Sequence, residues 1–137
     1  MTLVLDTGPL VALADRRDRM QPDVERLLRA EAGDLVVPLP VATETDYLLG
    51  RRGGRKARLA FLDDLATYRF VLAGLSAADV AVIKDLEQRY ADLDAGLPDL
   101  SIVVIAARHR TVRIATFDRH FRVLRPLDGS PAFDVLP

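Results

Sequence analysis

A chain of 137 residues, half of it apolar, has the size of one domain with a single substantial core. It contains no cysteine, which excludes a disulfide framework and thiolate metal sites, and its two histidines are too few for a zinc site built on three. The net charge of −1 hides a segregation: residues 51–58 hold five basic groups and no acid, and residues 100–127 hold six arginines, two histidines and the single acid Asp118.

In chain order, TLVLD reads as a strand apolar on both faces, as in the middle of a parallel sheet. GPLVALAD follows as a helix with proline in its first turn, and QPDVERLLRAEA as an amphipathic helix with Gly33 past its end. LVV is a short strand. PVATETDYLLG is a helix opened by Pro40, RRGG a turn, and RKARLAFLDDLATY the next helix. FVLAG is strand-like, and SAADVAVIKDLEQRYADL is a helix capped by Ser76.

DAGLPD reads as a loop. DLSIVVIAARHR contains the β-branched run Ile102–Ile105, which suits a strand, but it follows a Pro-Asp start signal and is too long for a buried strand. A helix is expected there. TVRIAT is the next strand, leading into FDRHF, and AFDVL is a short edge strand after the DGSP turn. Strands alternating with helices predict one α/β domain over residues 1–137, a central parallel sheet between two helical layers. No apolar run approaches the ~18 residues of a membrane span, and MTLVLDTG has no basic leader, so a soluble cytoplasmic protein is expected.

In open parallel sheets, ligands bind beyond the carboxyl ends of the strands. Asp6 ends the first strand and Asp118 lies just past TVRIAT, so both are expected at one crevice. Each also has an ordinary duty available: Asp6 and Asp99 as helix caps, Asp118 in an Asx turn. Glu44 is placed differently. Wound as a helix, its segment sets it beside Val41, Tyr47 and Leu48, an apolar arc where a lone carboxylate is costly without a partner.

Two carboxylates ~4 Å apart repel by about 4 kcal/mol at an effective dielectric of 20. Several at one crevice must take up protons or bind cations. Oxygen ligands with no cysteine select hard ions such as Mg²⁺ or Mn²⁺, a standard device for phosphoryl chemistry. The basic blocks then have a use on a phosphodiester chain, although either block taken alone reads first as solvated turns and helix ends.

LVLDTGPLVALAD, VATETDYLL, YADLDAGLPDLSIVVIAARHR and IATFDRHF, in that order, resemble the motifs of the PIN-domain ribonucleases, and among them the VapC toxins of toxin–antitoxin pairs. The resemblance implies an α/β/α sandwich and a Mg²⁺- or Mn²⁺-dependent endoribonuclease leaving 5′-phosphate and 3′-hydroxyl ends. It implies Asp6, Glu44, Asp99 and Asp118 as catalytic metal-holding acids, with Thr7 and Thr116 orienting them through their hydroxyls. It further implies a homodimer silenced by a cognate VapB-like antitoxin whose tail covers the site. Arg119 and Arg122, with Arg51 and Arg52, are the expected RNA contacts, and a loop or single strand fits a crevice better than a duplex. Pro98 and Leu100 depart from the third motif, which has a small residue before its aspartate and alanine after it; Asp94 and Asp92 are the alternatives there.

Three rivals fit less well. A phosphorylation receiver requires a lysine after its last core strand, and the only lysines, Lys56 and Lys84, fall on predicted helices. A nucleotide-binding enzyme would show a phosphate-cradling glycine loop, and none follows a strand. A PIN-like module that binds RNA or protein without cutting it would not need all four acids.

Overall fold

The computed structural model describes residues 1–137. Its strands β1 (Leu3–Leu5), β2 (Leu35–Pro38), β3 (Val71–Ala73), β4 (Arg113–Ala115) and β5 (Asp134–Leu136) form one sheet in the order β3-β2-β1-β4-β5, with every pair parallel. The helices are α1 (Thr7–Leu13), α2 (Gln21–Ala30), α3 (Leu39–Arg52), α4 (Gly54–Ala66), α5 (Ala77–Arg89) and α6 (Gly96–Arg108). They flank the sheet as the expected three-layer α/β/α sandwich. The chain leaves β1 toward β2 on one side and returns through β4 on the other, so the strand order reverses between β1 and β4. That switch point is where a doubly wound sheet opens a crevice.

Central position explains the composition of the strands. Leu3, Val4 and Leu5 are all fully buried, as are Val36, Val37, Ile114 and Ala115. Helix α6 is also enclosed: Leu100 through Ala106 are buried without a break. A helix apolar all round belongs inside a protein, and burial here overrides the strand preference of Ile102–Ile105.

Several boundaries differ from expectation. Helix α6 begins at Gly96, so DAGLPD is only partly a loop and Asp99 lies inside the first turn instead of capping it. Pro98 permits this, because a first-turn residue needs no N–H partner. Helix α3 continues through Arg51 and Arg52, leaving Gly53 alone as the turn before α4, which opens at Gly54 with φ +76°. Helix α5 stops at Arg89, after which Ala91–Leu93 form a 3₁₀ turn; its start matches, with Ser76 and Asp79 closing a capping box.

The inward seam of α3 is Val41, Ala42, Thr45 and Leu49. Thr45 is fully buried and its hydroxyl has no hydrogen-bond partner. Removing an unpaired buried hydroxyl without changing side-chain shape is favourable. Thr45→Val is therefore expected to stabilise the chain by about 1 kcal/mol, read as a higher midpoint of thermal unfolding. A lower midpoint would reveal a bound water or ligand on that hydroxyl.

Candidate active site

Strand register builds the first half of the site. Leu5 is level with Ala115 across β1 and β4, and the Asp6 N–H continues the ladder by donating to the Ala115 carbonyl at 2.9 Å. Asp6 and Thr116 therefore emerge as neighbours where both strands end. The Thr116 hydroxyl donates to Asp6 Oδ2 at 2.6 Å and accepts from the Asp118 N–H at 2.9 Å. One hydroxyl thus fixes both acids.

Both acids also perform the ordinary duties weighed from sequence. Asp6 Oδ1 caps α1 by accepting from the Thr7 N–H at 2.7 Å, and Asp118 Oδ1 accepts from the His120 N–H at 2.9 Å, opening the 3₁₀ turn Arg119–Arg122. The expectation for Thr7 needs correction. Its backbone, not its hydroxyl, holds Asp6, and the buried Thr7 Oγ1 has no partner.

Asp99 arrives from α6. Leu100, Ile102 and Val103 anchor that helix in the core, so Asp99 in the first turn is held at the crevice, only 8% exposed. Its Oδ2 lies 2.7 Å from His120 Nδ1, which is 3.4 Å from Asp118 Oδ1. Asp99, Asp118 and His120 each bring one ligand atom within 4.8 Å of the others. The alternatives Asp92 and Asp94 are exposed and lie outside this group. His120 escaped the sequence reading; the signal for it was the spacing Asp-x-His at a strand end, which sets two ligand-type side chains on one tight turn.

The expected environment of Glu44 is corrected. It is exposed, because the seam of α3 runs through Thr45 and not through the arc of Tyr47 and Leu48. Glu44 instead lines an open groove of about 650 Å³ between the starts of α3 and α6, with Leu39, Tyr47, Leu97 and Pro98 on its walls. Its negative charge nevertheless reaches Asp6.

Burial lifts the Asp6 carboxyl above its ordinary 3.8; the bonds from Thr116 and Thr7 pull it back, and the charges of Asp118 and Glu44 lift it further. Burial likewise pushes Asp99 up to about 6, opposed by the His120 hydrogen bond and reinforced by Asp6 and Asp118. The hydrogen bond to Asp99 raises the His120 imidazole above 6.5, with burial opposing. No arginine or lysine pairs with any of the four acids; His120 is their only ion-pair partner.

A divalent cation fits this donor set. It would relieve the mutual repulsion of the carboxylates, and the Thr7 hydroxyl, on the residue after Asp6, is buried with no partner inside the protein. Because Thr116 holds both Asp6 and Asp118, Thr116→Val is expected to weaken metal affinity by about 10- to 100-fold, as other changes behind metal ligands do. Titration of Mn²⁺ into each protein measures it, and unchanged affinity would remove Thr116 from the site.

The arginines divide. Arg119 and Arg122 are exposed on the turn after Asp118, with no carboxylate partner. Arg51 and Arg52 sit in the last turn of α3, at least seven residues beyond Glu44 and hence about 10 Å farther along the axis. Arg51 is engaged with Tyr47, donating to its hydroxyl at 2.8 Å and lying over its ring at 5.6 Å.

Strand-end acids at the switch point of a small parallel α/β/α sandwich define a class of site suited to metal-assisted phosphoryl chemistry. The family model for the PIN domain matches residues 3–125, and the chain belongs to the PIN-domain family. Over 136 residues it is 37% identical to Ribonuclease VapC26 of Mycobacterium tuberculosis, the match covering 98% of this chain and 100% of that protein. The crystal structure of Mycobacterium tuberculosis VapC20, a sarcin-ricin loop cleaving toxin, superposes with a TM-score of 0.84 at 19% identity, covering 98% of this chain and 99% of that one. VapBC2 from Rickettsia felis, bound to a DNA fragment from its promoter, gives 0.67 at 18% identity, covering 98% and 97%. These two structures agree in fold.

Proposed function

We propose that this chain is a divalent-metal-dependent endoribonuclease and the toxin half of a toxin–antitoxin pair. The observation that carries this reading is the absence of any arginine or lysine partner on Asp6, Asp99 and Asp118, three acids gathered at the strand ends with the charge of Glu44 reaching them from the neighbouring groove. A structural cluster would be neutralised by such partners; a site for a cation and a phosphate would not. The 37% identity to a named ribonuclease over nearly the whole chain supports the same substrate class.

In this reading Asp6, Asp99 and Asp118 hold Mg²⁺ or Mn²⁺, with Glu44 at the exposed rim acting directly or through water. When bound, such an ion activates water for attack on phosphorus and offsets the charge that builds on the phosphate. Thr116 and the Thr7 N–H keep the Asp6 oxygens fixed, and His120 orients Asp99. Arg119 and Arg122 grip the backbone phosphates beside the scissile bond, so affinity falls as salt rises. Arg51 and Arg52 are remote from the acids and take at most an outlying stretch of RNA.

Cleavage by the purified protein is expected to vanish in EDTA and return with Mg²⁺ or Mn²⁺, leaving 5′-phosphate and 3′-hydroxyl ends. RNA binding without cutting under any divalent ion would instead make the chain a non-catalytic PIN-like module. No helix is long and apolar enough to cross a membrane. The likeness to VapC proteins supports silencing by a VapB-like antitoxin, and a cytoplasmic homodimer is part of the same proposal. Co-expression with the neighbouring reading frame, followed by purification of the complex, tests that pairing.

A further inference from the structure

Most of the aromatic side chains are spent on the core: Phe61, Phe70, Phe121 and Phe133 are buried and Tyr90 is packed against the core. Three are exposed, namely Tyr47, Tyr68 and Phe117. Tyr68 lies in the turn before β3, at the amino end of the sheet and away from the crevice. Tyr47 is occupied by Arg51, through its hydroxyl and over its ring. Phe117 alone is both free and at the acids. It stands between Thr116, which fixes Asp6, and Asp118, and it is 42% exposed.

Its position is set from below. An added Cβ on Gly8 would lie 3.1 Å from Phe117 Cδ2, so the ring rests directly on the first turn of α1. The Cδ2 edge of the ring is therefore backed by Gly8, while the side chain as a whole stays 42% exposed. An exposed aromatic ring backed at one edge by a glycine, adjoining Asp118 and followed on the next turn by the unpaired Arg119 and Arg122, matches what an unstacked base next to a held phosphate requires. We propose that Phe117 is the stacking platform for a nucleobase adjoining the scissile phosphate, and that it makes the site selective for unpaired RNA. This rests on the ribonuclease reading and adds the feature that tells single strands from duplex. A protein surface is the competing use of an exposed phenylalanine; the adjacent acids and free arginines favour a polyanion.

The test is a binding comparison in Ca²⁺, which suppresses cleavage, using a single-stranded oligoribonucleotide and the same chain with abasic riboses in place of its nucleosides. Phe117→Ala is expected to bind the normal oligonucleotide about five- to a hundredfold more weakly, and Phe117→Trp about as well as the native chain. All three proteins should bind the abasic chain equally, with the same salt dependence and the same Mn²⁺ affinity. Gly8→Ala, whose added methyl obliges the ring to shift slightly, should show a smaller loss confined to the normal oligonucleotide. Equal losses on both oligonucleotides, or none on either, overturn the proposal while leaving the ribonuclease reading intact. So does normal RNA binding by Phe117→Ala with a changed oligomeric state, which would assign the ring to a protein contact. If the native protein binds neither oligonucleotide and cuts no RNA, both readings fall together.

Discussion

Asp6→Asn and Asp118→Asn are each expected to lower RNA cleavage by about a thousandfold or more, with the fold retained. Asp6 spends both oxygens on positioning, accepting from the Thr7 N–H and the Thr116 hydroxyl. An amide keeps the shape but reverses one of those contacts and removes the charge that a cation needs. Losses of this size, about 4 kcal/mol in the transition state, are typical when a preorganised charge partner of the reaction is deleted. The two substitutions act on one metal-dependent unit, so the double variant should be barely worse than either single one. The measurement is the single-turnover rate with Mg²⁺ or Mn²⁺ in excess, beside far-ultraviolet circular dichroism of each variant. If Asp118→Asn cut RNA at the native rate, Asp118 would be reduced to its Asx-turn role at the start of Arg119–Arg122.

How far sequence reached can be judged residue by residue. The strand-end acids were legible because they need only two facts: where a buried strand stops, and that a parallel sheet collects ligands there. LVLD and RIATFD supply the first directly, since fully buried strands are apolar on both faces and the first acid marks their exit. Asp99 was found, but its setting was not. A Pro-Asp pair reads as a helix start, whereas α6 begins three residues earlier, because glycine and proline are both tolerated in a first turn.

Glu44 shows where periodicity misleads. Counting large apolar residues gave Val41, Tyr47 and Leu48 as the buried arc, but the seam is Val41, Ala42, Thr45 and Leu49. Small residues face inward where α3 meets α1, α4 and α6, and a fully buried threonine carries no hydrophobic signal. Glu44 thus needs no buried partner, being open to solvent along the groove. His120 was illegible for another reason. Its bond to Asp99 spans 21 positions and depends on how α6 packs on the sheet, against β1 and β2. No local pattern carries such a distance.

The second large effect couples the site to stability. Asp99→Asn should abolish cleavage as Asp6→Asn does, yet the metal-free protein should become more stable at neutral pH. Asp99 titrates at about 6 instead of 3.8, because burial and the charges of Asp6 and Asp118 oppose its ionisation. A carboxyl with a raised folded value contributes stability that is complete below its unfolded value and lost as pH climbs through the folded one. His120, raised above 6.5, follows the same direction at higher pH. The carboxylates held below their usual range, Asp15, Glu25, Glu31, Asp79 and Asp128, are already ionised above about pH 5 and add no slope there. Between about pH 5 and 8 the metal-free chain should therefore lose stability. The rise at Asp99 alone corresponds to at most about 3 kcal/mol, which crevice water reduces to about 1–2 kcal/mol, or about 3–8 °C in the unfolding midpoint. A divalent ion at a hundred times its dissociation constant should return about 2.7 kcal/mol to the native protein and little to Asp99→Asn. On the proposed reading the destabilisation and the affinity have one origin: carboxylates held together with only His120 to offset them would take a divalent ion from solution. Thermal unfolding in EDTA and in Mg²⁺, from pH 5 to 8, separates the possibilities. A metal-free midpoint that stays level across that range, with Asp99→Asn less stable than the native chain at pH 8, would make Asp99 a structural partner of His120 and remove it from the metal site.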